Sequence, residues 1–167
     1  RVAIASGPPN GSWQDAVVVE ARRAIPVPAG LPDDQAAGLI INPLTAWVMI
    51  HEVLEVARGG RVILTAAGSA LGKSVVRLGR REGFRTICVV RSDANSAELK
   101  ALGADAVIET NRQDLVDEVA RVTGGRGALY ALDCVGGPLT SEVVRCLGRG
   151  GRMVLYGTLD DRPITLP

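Results

Sequence analysis

Five short apolar runs recur along the later part of the chain, and amphipathic stretches separate them. They are Arg61 to Ala66 (RVILTA), Thr86 to Arg91 (TICVVR), Ala106 to Glu109 (AVIE), Ala128 to Val135 (ALYALDCV) and Gly151 to Gly157 (GRMVLYG). Each is too short for a buried helix, so each reads as a strand covered on both faces. Between them apolar residues return at helical spacing. Leu71, Val75 and Leu78 mark a helix over Ser69 to Arg81, and Asn95 to Leu102 is a second, stopped by Gly103. Leu115, Val119 and Val122 mark a third over Arg112 to Val122, ended by Gly124-Gly125, and Leu139 to Leu147 is a fourth after Gly136-Gly137-Pro138. Apolar strands alternating with helices predict the α/β class, with a doubly wound parallel sheet.

The first forty residues break this rhythm. Arg1 to Ser6 and Trp13 to Ala21 read as strands joined by a Gly/Pro/Asn turn, a short β-rich segment. Three prolines in the seven residues Pro26 to Pro32 make Ile25 to Pro32 a connector. Asp33 or Asp34 can cap a helix from about Gln35, and a second helix runs from about Pro43 to Val56. The chain begins without Met and in mid-pattern, as a piece of a longer protein would. Its 167 residues suffice for one sizeable core.

Composition narrows the function classes. Hydrophobic residues are 47% and charged residues 22%, with a formal net charge of +1. Nothing in that balance calls for nucleic acid or a membrane as partner. No apolar run is long enough to span a bilayer. Cys88, Cys134 and Cys146 lie in apolar surroundings without CxxC spacing and read as reduced thiols of a cytoplasmic protein. The single His51 and three dispersed cysteines build no metal site.

The chemistry concentrates at the first corner of the α/β part. Thr65 to Gly72 (TAAGSALG) supplies seven small residues in eight, where a strand opens into a helix. Free N–H groups and a partial positive charge at a helix start attract phosphate if the backbone can come close. Read as Ala67-x-x-x-x-Gly72-Lys73-Ser74, the corner approximates a mononucleotide phosphate loop. Lys73 would then clamp phosphate, Ser74 would hold magnesium, and Asp133 would be a metal-binding strand end. Read as Ala67-x-Ser69-x-x-Gly72, it is a dinucleotide corner with two glycines replaced. The second strand then decides the cofactor, about 20 residues on. Arg91 and Ser92 stand there in place of the acidic residue that would hold ribose hydroxyls. A guanidinium suits a 2′-phosphate, which favours NADP over NAD. It also argues against a methyltransferase.

Taken together, the stretches "GSWQDAVVV", "INPLTAW", "HEVLEVARGGRVILTAAGSALG", "GFRTICVVR", "LKALGADAVIE", "LDCVGG" and "GRGGRMVLYG" resemble, in order, the zinc-free medium-chain dehydrogenase/reductases. The likeness is greatest to the NADPH-dependent 2-enoyl thioester reductases, and next to the quinone oxidoreductases, which more often carry Gly at position 69. The cysteine ligand that zinc alcohol dehydrogenases place near Ile41 and Asn42 is missing. The resemblance implies a Rossmann domain over residues 31–157, preceded in 1–30 by the tail of a GroES-like catalytic domain and followed by an exit segment, 158–167. It implies that Ser69, Ala70, Leu71 and Gly72 face the pyrophosphate, that Arg91 and Ser92 hold the 2′-phosphate, and that Cys134, Val135 and Gly136 line the nicotinamide ribose. Tyr156 and Gly157 would end the fifth strand nearby, Asn42 and Thr45 would lie near the nicotinamide, and Trp13 on the substrate side. The catalytic residue is expected upstream of Arg1, since neither Tyr130 nor Tyr156 fits the active-site tyrosine motif. The implied activity is hydride transfer from NADPH to an enoyl thioester carried by CoA or acyl carrier protein, in a homodimer or in a polyketide or fatty acid synthase. A quinone reductase and a noncatalytic cofactor-binding module are the alternatives.

Overall fold

The computed structural model describes residues 1–4 and 11–166. The chain divides into two units, Arg1–Thr45 and Ala46–Pro167. In the first, β1 (Val2–Ile4) pairs antiparallel with β2 (Ala24–Pro26), and a short helix, α1 (Asp33–Ala37), follows. The turn expected around residues 7–10 lies outside the described residues. Trp13 to Ala21 forms no strand, contrary to the sequence reading, and β1 takes its partner from the stretch read as a connector. Pro26 is tolerated because a two-stranded ribbon has only edges. The Val17–Val19 run has no partner strand, and Val18 is 92% exposed. The helix expected from Pro43 to Val56 is α2 (Ile41–Val48), running into a π-helical turn at Met49–Val53.

The second unit holds the parallel sheet: β3 (Arg61–Leu64), β4 (Arg85–Val90), β5 (Ala106–Glu109), β6 (Ala128–Asp133) and β7 (Leu147–Leu155), in the order β5-β4-β3-β6-β7. The crossovers are α3 (Ala70–Glu82), α4 (Ser96–Leu102), α5 (Leu115–Thr123) and α6 (Gly137–Arg145). Strand alternation sends Leu64, Cys88, Val90 and Leu132 into one layer with Val75, Val76 and Leu99. It sends Ile63, Ile87, Val89 and Ile108 into the other, with Leu115, Val119 and Val143. Both layers are buried, so the strands read as continuous apolar runs. Strand order reverses between β3 and β6, and in such sheets ligands bind at the carboxyl ends of those two strands. β7 begins earlier than its apolar run predicts. Its glycines permit this, since a Cβ at Gly148 would stand 2.4 Å from the Arg126 carbonyl.

Candidate functional site

A cavity of about 720 Å³ opens at this switch point. Ala66, Gly68 and Ser69 form one wall, and Val89, Val90 and Arg91 the floor at the end of β4. Val135 and Leu139 close it from β6 and α6, and the segment Leu159 to Arg162 crosses its rim.

Local chemistry shapes the first wall. The Ser69 hydroxyl accepts from the Gly72 N–H at 3.0 Å and caps α3. Among the described residues the Ala70 and Leu71 amides have no protein acceptor, so two donors at the positive end of α3 remain free. Gly72 lets the helix touch the turn: a Cβ there would lie 2.4 Å from the Ala67 carbonyl oxygen. Ala66 holds φ +46°, a left-handed turn without glycine. Asn95, which the sequence reading treated only as a helix start, lays its amide over Gly68, where a Cβ would meet it at 2.6 Å.

The floor presents Arg91, exposed and without an ion-pair or hydrogen-bond partner for its side chain among the described residues. The other cation of the cavity, Arg162, is clasped by Asp160 through Nε at 3.0 and 3.1 Å and Nη2 at 2.6 Å. That clasp holds the Asp160 carboxyl down at about 2. Asp160 also lies over the start of α6. Gly136 (φ +82°) and Gly137 (φ +58°) are required there, since a Cβ on Gly137 would fall 2.6 Å from the Asp160 carboxyl carbon.

A buried polar knot joins the two strands of the switch point. Asp133, fully buried at the end of β6, accepts from the Thr65 hydroxyl at 2.5 Å, the Val135 N–H at 2.9 Å and the Thr140 hydroxyl. Beside it, burial and a hydrogen bond with Cys134 push the Tyr156 phenol up, so it stays protonated at neutral pH. Tyr156 packs against the core.

The thirteen residues assigned to the cofactor divide accordingly. Ser69, Arg91 and Val135 line the cavity. Ala70, Leu71 and Gly72 follow Ser69 on α3, Ser92 follows Arg91, and Cys134 and Gly136 flank Val135. Gly157 packs against Cys134, where a Cβ would meet it at 3.2 Å. Asn42 and Thr45 belong to the first unit, as does Trp13, which was expected on the substrate side and is fully exposed. The roles of Asn95, Thr140 and Asp160–Arg162, and the Thr65 tie to Asp133, are not legible in the sequence, because polar residues at loop ends carry no periodicity. The mononucleotide reading fails on geometry. Lys73 Nζ is 2.8 Å from Glu98, and the Ser74 hydroxyl donates to the Ala70 carbonyl at 2.9 Å. Asp133 is enclosed by its threonines. Free amides, close-approach glycine and an unpaired guanidinium around an apolar floor fit a dinucleotide phosphate. His51 lies half-buried, 3.2 Å from Glu82. Among the described residues no group of three His, Cys, Asp or Glu could hold a metal ion. Among the described residues no helix is long and apolar enough to cross a membrane.

Residues 70–167 match the family described as zinc-binding dehydrogenase. The chain is 34% identical over 167 residues to the mitochondrial enoyl-[acyl-carrier-protein] reductase of Arabidopsis thaliana, covering 98% of this chain and 44% of the relative. It is 35% identical to the human mitochondrial enoyl-[acyl-carrier-protein] reductase over 161 residues, 92% of this chain and 42% of that one. The quinone oxidoreductase of Escherichia coli, solved in complex with NADPH, superposes with a TM-score of 0.80 at 26% identity, over 87% of this chain and 44% of the other. The chain thus spans less than half the length of these relatives.

Proposed function

For a chain that belongs to the zinc-binding dehydrogenase family, and covers the cofactor domain of its zinc-free medium-chain reductases, we propose the NADPH-binding part of an oxidoreductase acting on an enoyl thioester. One observation carries the cofactor: Arg91, a cation without a side-chain partner among the described residues, lines a switch-point cavity together with Ser69, the cap of the helix whose first two amides are free. The amides of Ala70 and Leu71, with Ser69 and Gly72 shaping their approach, receive the pyrophosphate. Arg91 and Ser92 receive the 2′-phosphate, which distinguishes NADPH from NADH. Cys134, Val135 and Gly136 border the nicotinamide ribose, with Tyr156 and Gly157 beside Cys134. Asn42 and Thr45 serve the nicotinamide end, and Trp13 the substrate side. The cofactor supplies hydride, and this domain orients it and excludes water.

The enoyl thioester is favoured by the enoyl-[acyl-carrier-protein] reductases, 34% and 35% identical. The NADPH complex of the quinone oxidoreductase supports quinone reduction as the second reading. The β7 edge is unpaired among the described residues and is the surface for homodimer formation. Cys88, Cys134 and Cys146 are free thiols, which fits a reducing compartment, whether the cytoplasm or the organelle in the relatives' names.

The test is calorimetric titration with NADPH, NADH and Mg-ATP. NADPH binds at least about tenfold tighter than NADH, the 1.4 kcal/mol or more that one good phosphate–guanidinium pair supplies. Arg91→Glu abolishes that preference. Equal affinity for NADH, or binding of Mg-ATP lost in Lys73→Ala, refutes the reading. This chain alone does not reduce crotonyl-CoA with NADPH, and measurable turnover would place the catalytic group inside it.

A further inference from the structure

Asp133 is a carboxylate with no exposed surface. Its three partners are two hydroxyls and one amide, from Thr65, Thr140 and Val135. The Thr65 hydroxyl already accepts from the Cys134 N–H at 3.2 Å, so its own proton points to Asp133. Every partner can donate and none is a cation, a donor set that suits an ionised carboxylate. An unpaired buried charge is costly, and a strand end that needed only tying could use a neutral amide. The charge stands at the switch point, on the residue before Cys134.

We infer that the Asp133 charge biases the bound cofactor toward its oxidised form, an inference that rests on the NADPH reading above. When a hydride, one proton with two electrons, goes to the β-carbon of an enoyl thioester, the neutral dihydronicotinamide ring becomes a pyridinium cation. A proton from a separate donor goes to the α-carbon. The ring gains one positive charge while the phosphates and adenosine are unchanged. Arg91 and the α3 amides face phosphates that are alike in both forms, so they do not discriminate between them. A fixed negative charge at the ribose end does, and it acts across a poorly screened interior. Asp133 is thus a tuning residue that touches no reacting atom and favours hydride donation through its field.

The readout is the ratio of the dissociation constants of NADP⁺ and NADPH, measured by calorimetry on the full chain. Asp133→Asn keeps the shape, still accepts from Thr65 and Val135, and removes the charge. The ratio rises by about five- to tenfold in this variant, with NADPH affinity within about twofold of the parent. Thr140→Val removes one donor, keeps the charge, and leaves the ratio within about twofold of the parent. A purely structural role would weaken both forms together. A folded Asp133→Asn with an unchanged ratio overturns the inference. Should that variant not fold, the parent chain decides: NADP⁺ binds at least as tightly as NADPH, and weaker binding of NADP⁺ overturns it. Failure of the parent to bind either nucleotide refutes the site itself, and the inference with it.

Discussion

Adding one methyl group at Gly72 tests how tightly the first corner is built. The new Cβ of Gly72→Ala would stand 2.4 Å from the Ala67 carbonyl oxygen, 2.7 Å from its carbon and 2.8 Å from its Cα. These are backbone atoms, so no side chain can rotate away. Ordinary contact needs roughly 1 Å more, and α3 or the turn has to move by that amount. Neither moves freely. Val75 and Val76 of α3 are fully buried, and Ala67 is fully buried in a turn already strained at Ala66. A gap of that size forfeits about a quarter to a half of each dispersion contact it opens. Overpacking of this kind costs about 3 kcal/mol, against about 1 kcal/mol gained from replacing a helical glycine by alanine. The net loss is about 2 kcal/mol, or a fall in Tm of roughly 4–8 °C for a chain of this size. Thermal and urea unfolding followed by circular dichroism measure it. The displaced amides of Ala70 and Leu71 also weaken NADPH by about tenfold. A variant within about 0.5 kcal/mol of the parent, or more stable, would refute the close-approach argument.

Ser69→Ala removes the cap on Gly72 and lowers unfolding free energy by about 1 kcal/mol in urea titrations; no change would deny the cap any role. Ala66→Gly relieves a left-handed alanine and raises stability by about 1 kcal/mol, whereas a loss would mean the methyl packs more than it strains. Asp160 is held from 3.8 down to about 2 by Arg162, so it contributes stability above the unfolded value that disappears as pH falls toward about 2. Urea midpoints therefore fall less steeply over that window in Asp160→Asn, and superimposable profiles would count against the clasp. Burial raises the thiols of Cys88 and Cys146 to about 12, so at pH about 8 a thiol reagent labels Cys134 alone in the native chain and all three cysteines in denaturant. Native labelling of Cys88 would contradict the packing of β4.

The parallel sheet was legible because burial on both faces leaves a dense signal: three or more apolar residues in a row, with Gly at the helix ends. β5 matches its run to the residue, and Ser69 caps the helix that Leu71, Val75 and Leu78 announced. The first unit was legible only in part: β1 lies in the expected Arg1 to Ser6 run and α1 at the corner of Asp33 and Asp34, but the partner of β1 was missed, because their ladder pairs three residues and includes Pro26. There local β propensity, which favoured Val17 to Val19, competes with turn geometry and loses. At the site, periodicity found the strand ends but not what crosses them. Asp160 reaches the α6 start only because β7 carries the chain past Gly136, a long-range consequence of strand order.

Charge shows the same limit, and it bears on Arg91. A net charge of +1 conceals a segregation imposed by the parallel fold. Strand starts and helix ends share one end of the sheet. Each connection there carries a cation: Arg58 and Arg61, Arg80 to Arg85, Lys100, Arg121 and Arg126, Arg145 and Arg149. Glu55, Glu82, Asp105 and Glu142 are the carboxylates among them. Helix C-termini favour this placement, so stability alone accounts for it. The opposite end, where the cavity opens, is left with most of the second unit's carboxylates, and the cations around Arg91 are paired with them. Lys73 pairs with Glu98, Arg112 with Asp93 and Glu109, and Arg162 with Asp160. A 2′-phosphate arriving in that acidic surround therefore has one guanidinium to meet. On the proposed reading, Arg91→Glu is therefore expected to remove the preference for NADPH rather than merely reduce it.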